Sequence, residues 1–239
     1  MKNKVFRLFL IGSLMLMVCV SAFVVSADLP AASKAPITIM DGGSPVEFDI
    51  NDIAVYHAKM EAAEDGTKVP EKAEVDPCCA WMYRSLLAGI PALWGDKSPE
   101  RSDITLTSNL PSCGALHTGW YVTGTGEGIN TTSPGRLILL KPDGTELTDY
   151  SHEARSKIAK NRTAENYKII LASTSNGKSV EVALRKEAFP DGFFESFKKV
   201  KTDPNVTKED VLAFNELKDE FLNNLLEKPD RDLFTIVIS

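Results

Sequence analysis

Asp76-Pro77-Cys78-Cys79-Ala80-Trp81-Met82-Tyr83-Arg84, running on to Leu93, is the stretch around which the chain is organised. Pro77 suits the first position of a helix, where its missing N–H is not needed and its fixed φ is already helical. Beyond it, Trp81, Tyr83, Leu86, Leu87, Ile90 and Leu93 put apolar side chains on more than one face, so the spacing predicts a buried central helix rather than a surface one. Gly89 and Pro91 bend or end it late. Cys78 and Cys79 then fall in the first turn. There, unpaired backbone N–H groups and the positive end of the helix dipole favour the thiolate, the form that attacks or binds metal.

Downstream of this helix, Asp103 to Ser108 alternates polar and apolar residues, several of them β-branched, which is a strand pattern. Asn109-Leu110-Pro111-Ser112 breaks it. A short helix from Pro111 or Ser112 through Cys113 to Tyr121 would then place Cys113 and His117 on one face, because residues four apart are helix neighbours. Upstream, Ile37–Met40 and Val46–Ile50 flank Asp41-Gly42-Gly43-Ser44-Pro45 and predict a hairpin. Asn51-Asp52 offers an N-cap for a helix over Ile53–Glu64, with Ile53, Tyr56, Met60 and Ala63 at helical spacing. His57 lies outside that stripe, the position of a solvated or hydrogen-bonded histidine before that of a ligand. Asp65 to Asp76 reads as a charged loop.

The glycine-spaced run Val122–Asn130 lacks the strand, helix and lysine of a phosphate-cradling loop, so it reads as a turn and not as a nucleotide site. Arg136–Leu140 and Thr145–Leu147 around Pro142-Asp143-Gly144 form a hairpin pattern. Asp149–Asn161 reads as a polar helix with His152 at the surface. Tyr167–Ala172 and Val180–Leu184 are strands around Asn176-Gly177-Lys178. Phe189, Phe193, Phe194 and Phe197 at helical spacing are core. Thr207-Lys208-Glu209-Asp210 opens a helix in the manner of a capping box, its apolar stripe running from Val211 to Leu225. Leu233–Ile238 closes the chain as a strand that joins the sheet. Antiparallel strands mixed with helices make this an α+β chain with a mixed, largely antiparallel sheet and packed helices, not a doubly wound one.

Residues 1–27 read as a secretory signal: Lys2, Lys4 and Arg7, an apolar run from Leu8 to Val20, and Val25-Ser26-Ala27 before Asp28. An uncleaved anchor is one alternative, because Leu8–Ala27 approaches the ~20 residues that span a bilayer, and a lipoprotein anchor at Cys19 is another, although Leu-Met-Val before it lacks the small residue such processing prefers. The chain carries 27 Lys and Arg against 33 Asp and Glu, net −6, and losing the signal makes this −9. So acidic a chain is a poor ligand for nucleic acid, and its membrane contact is expected only through the signal before cleavage. Export implies an extracellular, periplasmic or cell-surface protein. Residues 28–239 suit one domain, with a helical C-terminal part over about 188–228. Asn130, Asn161 and Asn205 each open a glycosylation acceptor pattern. The partner is a small molecule or a protein that the sequence does not identify.

Outside the signal remain Cys78, Cys79 and Cys113, an odd number for an oxidising compartment. Either Cys113 pairs with Cys78 or Cys79 in a disulfide, or the thiolates hold a metal. Cys113 and His117, with Cys78 or Cys79, make a set of soft and borderline ligands suited to a divalent transition metal, zinc foremost. Water, His57 or Asp76 would take a fourth position, with Tyr83 or Arg84 near the rim. A thiolate–imidazole pair for redox or nucleophilic chemistry would use the same residues.

The order of a buried helix bearing Tyr83-Arg84, a strand, Cys113-x-x-x-His117 and then Gly124-x-Gly126-x-Gly128-x-Asn130 resembles the FmdE-like family, whose members are related to a component of formylmethanofuran dehydrogenase, over about residues 50–185. Asp76-Pro77-Cys78-Cys79-Ala80 stands where the family carries His-Gly-His and Cys-Pro-Gly, and Leu116-His117 lies where it carries an acidic residue soon after the cysteine. The resemblance implies metal binding and an α+β fold.

Overall fold

The computed structural model describes residues 35–239, and the expected export signal lies outside them. The first described element is the expected hairpin, β1 (Ile37–Asp41) antiparallel to β2 (Ser44–Phe48). Gly42 and Gly43 both take positive φ, 59° and 82°, which a two-residue turn with the twist of the flanking strands demands. Helix α1 (Ile50–Asp65) follows, and it starts earlier than the sequence suggests. Asp49 is the N-cap: its carboxylate accepts from the N–H groups of Asn51 and Asp52, and Asp52 closes a capping box on Asp49 N. The buried face of α1 includes Ile53 and Tyr56 as expected, but also His57, whereas Ala63 is exposed.

Helix α2 (Pro77–Trp94) is the central helix, with Asp76 as N-cap and every residue from Pro77 to Leu86 buried. Pro91 stays inside its last turns, and Gly95 at φ 65° ends it. The glycine at 89 lets α2 lie flat on the sheet: a Cβ there would stand 2.7 Å from Leu171 Cδ1 and 3.1 Å from Val182 Cγ2.

That sheet has five strands, β3 (Ile104–Ser108), β4 (Arg136–Leu139), β5 (Lys168–Ser173), β6 (Ser179–Leu184) and β7 (Phe234–Ile238), in the order β4-β3-β5-β6-β7. The chain is α+β, and the sheet is antiparallel except for the β3–β4 pair. Helix α3 (Cys113–Thr123) connects β3 to β4 and returns the chain so that the two strands run parallel. This modifies the hairpin expected over 136–147. Its first arm pairs with β3, and its second arm makes only a bridge from Leu140 to Glu146.

Helix α4 (His152–Ala159) precedes β5, and α5 (Phe193–Thr202), α6 (Lys208–Glu227) and the single turn α7 (Asp230–Leu233) precede β7. The phenylalanines expected in the core are there: Phe189 stacks on Phe221 at 4.7 Å between ring centroids, and Phe193 and Phe197 both meet Phe214. One layer is therefore the sheet. The other is α2, with α6 on one flank and α1 and α3 on the other, which brings the starts of α2 and α3 against the second half of α1.

Candidate metal centre

Three helices meet at one corner. The second half of α1 carries His57, Glu61 and Glu64 at spacings of four and three residues, hence on one face. The start of α2 supplies Asp76, Cys78 and Cys79, and the start of α3 supplies Cys113 and His117. The two helix starts touch because residue 114 is glycine. A Cβ there would lie 2.6 Å from Asp76 Oδ1, 2.8 Å from Cys78 Cβ and 2.8 Å from the backbone nitrogen of Cys79.

At this corner His57, Asp76 and Cys79 each offer one ligand atom, and the three atoms lie within 4.8 Å of one another. His57 and Cys79 are buried and Asp76 is half-buried. The group can hold a metal ion.

No family model, curated protein or solved structure matches the chain.

What the corner can do therefore rests on its own atoms. Of the four residues expected as ligands, Cys79 belongs to the group and the others stand around it. His117 lies one hydrogen bond behind His57, Nδ1 to Nδ1 at 2.8 Å, with its Nε2 3.4 Å from Glu64 Oε1. Cys113 Sγ accepts from Arg155 Nη1 at 3.0 Å, and Cys78 Sγ from Arg162 Nη1 at 3.4 Å. The two residues offered only for a fourth position, His57 and Asp76, are in the group. All three described cysteines are free, so the alternative of a disulfide at Cys113 is not what forms: its sulfur is turned to an arginine. Tyr83 and Arg84 are not at a rim. Tyr83 Oη donates to Ala35 O at 2.7 Å, and Arg84 is buried at the end of α6, where it donates to Leu225 O at 2.5 Å and Lys228 O at 3.0 Å.

The electrostatics also differ from expectation. Burial and the neighbouring Asp76 carboxylate push the Cys78 thiol up to about 11, and the same two causes push Cys79 well above its ordinary value. Burial raises Cys113 as well, against the pull of Arg155. The helix start does not produce thiolates because its donors are already used. Asp76 Oδ1 accepts from Cys78 N at 2.7 Å and Cys79 N at 3.3 Å, so one carboxylate takes up the positive end of the dipole and adds a negative charge.

Burial, with His57 and Arg155 alongside, pushes His117 down to about 3, so its imidazole is neutral. A continuous chain of polar groups results. Glu61 Oε1 lies 3.3 Å from His57 Nε2, His57 bonds His117, His117 faces Glu64, and Arg155 grips both Glu64 oxygens at 2.6 and 2.8 Å while reaching Cys113. The hydroxyl of Thr118 is fully buried against the Cys79 thiol, the group it faces.

Two members of this chain were hidden in the sequence. Arg155 sits on a helix whose composition is polar, and His57 fell outside an apolar stripe drawn from a cap placed too late. The readable signal was His57-x-x-x-Glu61-x-x-Glu64, which puts an imidazole and two carboxylates on one helical face.

Proposed function

We propose that the protein is an exported module that binds one divalent, zinc-like ion through His57, Asp76 and Cys79. The observation that carries this reading is the convergence of one nitrogen, one oxygen and one sulfur donor within 4.8 Å. Imidazole and thiolate together favour a borderline-soft ion, and three protein ligands leave a coordination position for water or a ligand. The metal association of the family that the chain resembles points the same way.

Two further features fit an ion here. Asp76 and Cys79 press on each other as a carboxylate and a thiol that burial keeps protonated, and a bound cation would deprotonate the thiol outright while offsetting the carboxylate. The Thr118 hydroxyl beside Cys79 would then face a stronger acceptor, because a thiolate accepts a hydrogen bond better than a thiol does. His117 and Glu64 supply the outer groups that orient a ligating histidine.

The test is elemental analysis of the purified mature chain with its variants. About one zinc per chain is expected, lost in Cys79→Ser and in His57→Gln and kept in Cys113→Ser. Loss in Cys113→Ser with retention in Cys79→Ser would move the centre to Cys113 and His117. A wild-type chain that takes up no divalent ion would end the metal reading altogether.

A further inference from the structure

A second feature adjoins Cys78 through Arg162, whose Nη1 reaches the Cys78 sulfur. Between β3, α4 and the turn at Pro142 is a cleft of about 250 Å³ with one apolar wall, Leu110, Pro111 and Ile158, and a polar wall that includes Asn109, Arg162 and Asn166. Among the described residues, no acidic side chain lines it and Arg162 is its one cation. None of the hydrogen bonds of that arginine goes to a carboxylate. The face of the guanidinium lies 4.3 Å over the Phe197 ring, Nε donates to Ala159 O at 2.8 Å, and Nη1 reaches Cys78 Sγ and Tyr167 Oη, both at 3.4 Å.

A guanidinium carries five N–H donors, and Arg162, half-buried at the cleft with no carboxylate bonded to it, can take an anionic partner there. The described residues engage Nε and Nη1, which leaves the donors of Nη2. Asn109 lines the same cleft, and its buried Oδ1 has no donor among the described residues. Its amide can turn to present its NH2 group without breaking a hydrogen bond.

We propose that this cleft is a binding site for a small monocarboxylate with a branched aliphatic tail. Arg162 Nη2 and the Asn109 amide hold the carboxylate, and Leu110, Pro111 and Ile158 cover the tail. The volume suits a ligand of a few heavy atoms, below the usual range of drug-sized pockets. A phosphate is a poorer fit, because one arginine must face a dianion beside an apolar wall.

Titration calorimetry on the full mature chain, at fixed ionic strength and both with and without zinc, compares sodium isovalerate, isovaleramide and inorganic phosphate. Saturable binding of isovalerate, at least roughly tenfold tighter than the amide, is expected from one charge-assisted contact. Arg162→Gln should lose that preference. Because Arg162 also packs on Phe197, Asn161→Trp serves as a second variant: residue 161 is exposed at the cleft and its side chain makes no bond, so the indole blocks the entrance without touching the core. Isovalerate binding lost in Asn161→Trp at unchanged thermal unfolding supports the site. Equal affinity for acid and amide, stronger binding of phosphate, or binding unaffected by Asn161→Trp would overturn it. The metal reading is judged by zinc content alone, so either proposal can fail without the other.

Discussion

His57 Nδ1 and His117 Nδ1 stand 2.8 Å apart, so only one of the two nitrogens holds the proton between them. The other nitrogen of His117 faces Glu64, whose two oxygens accept bonds from Arg155. With His117 donating from Nε2 to Glu64 and accepting at Nδ1, His57 donates from Nδ1, and its Nε2, 3.3 Å from Glu61 Oε1, is the nitrogen left for a cation. On the proposed metal reading, His117 is a positioning residue for His57. In His117→Phe the ring volume stays and the orientation goes, so zinc affinity measured against a competing chelator should fall by about 10- to 100-fold with stoichiometry kept. An unchanged affinity would remove the role, and a complete loss of stoichiometry would make His117 a ligand.

The thiols should be slow. With Cys78 pushed up to about 11, roughly a thousandth of it is thiolate at pH 8, and burial likewise keeps Cys79 a thiol. Iodoacetamide added to the folded, metal-stripped chain near pH 8 should therefore modify Cys78 and Cys79 orders of magnitude more slowly than the same chain in guanidinium chloride, where all three described cysteines react. Fast labelling of either residue in the folded chain would restore a thiol-dependent redox activity. Intact masses with and without reductant should agree, since no disulfide joins these cysteines.

The fold was legible wherever local chemistry decided it. The Gly42-Gly43 turn, Pro77 at the start of α2, the Thr207–Asp210 capping box and the phenylalanine cluster all act through near neighbours, and each stands where its residues predict. The parallel β3–β4 pairing was not legible, because it depends on where α3 returns the chain. At the site, the meeting of the two helix starts was readable from their caps and cysteines. Ligand choice was not. It depends on the rotational phase of α1, set by Asp49 rather than Asn51, and on which sulfur is claimed by Arg155 or Arg162. A buried arginine on a polar helix leaves no periodic trace.

Asp103 gives the chain an acid-sensitive knot away from the metal corner. Partial burial opposes its ionisation, but hydrogen bonds from Trp94 Nε1 at 2.9 Å, Ser173 Oγ at 2.8 Å and Ser175 N at 2.6 Å outweigh it and hold the carboxyl at about 2. A carboxyl depressed in the folded state stabilises above its ordinary value of 3.8, and that contribution is lost as pH falls through about 2. Solvent access limits it to about 1 kcal/mol. Asp103→Asn should lower the urea midpoint at pH 7 and lose most of that deficit by pH 2. A deficit that does not change with pH would mean that the charge contributes nothing.

Arg84 was expected beside the site and instead holds the end of α6. Its guanidinium caps Leu225 O and Lys228 O and pairs with Asp230 at 2.6 Å, joining the central helix to the C-terminal one. Arg84→Met removes the donors that a buried guanidinium gives to the Leu225 and Lys228 carbonyls, at a cost of ~2–4 kcal/mol. Denaturant unfolding should show that loss while zinc content per folded chain stays the same. A variant that folds as well as the parent but loses zinc would return Arg84 to the site.

Gly114 and Gly119 lie on the same helix, and substituting each by alanine separates contact at the site from contact in the core. At Gly119 the new methyl meets the Leu137 side chain, 2.6 Å from Cδ1, and a leucine end can rotate aside. At Gly114 it meets Cys79 N and Cys78 Cβ, each at 2.8 Å, and neither can move without shifting the first turn of α2. Gly114→Ala should therefore cost ~1–3 kcal/mol and also weaken zinc binding, because relief comes only by parting the two helix starts and with them Asp76 and Cys79 from the rest of the corner. Gly119→Ala should cost less and leave zinc affinity alone. Equal effects of the two on zinc affinity would mean that the contact between α2 and α3 does not assemble the site.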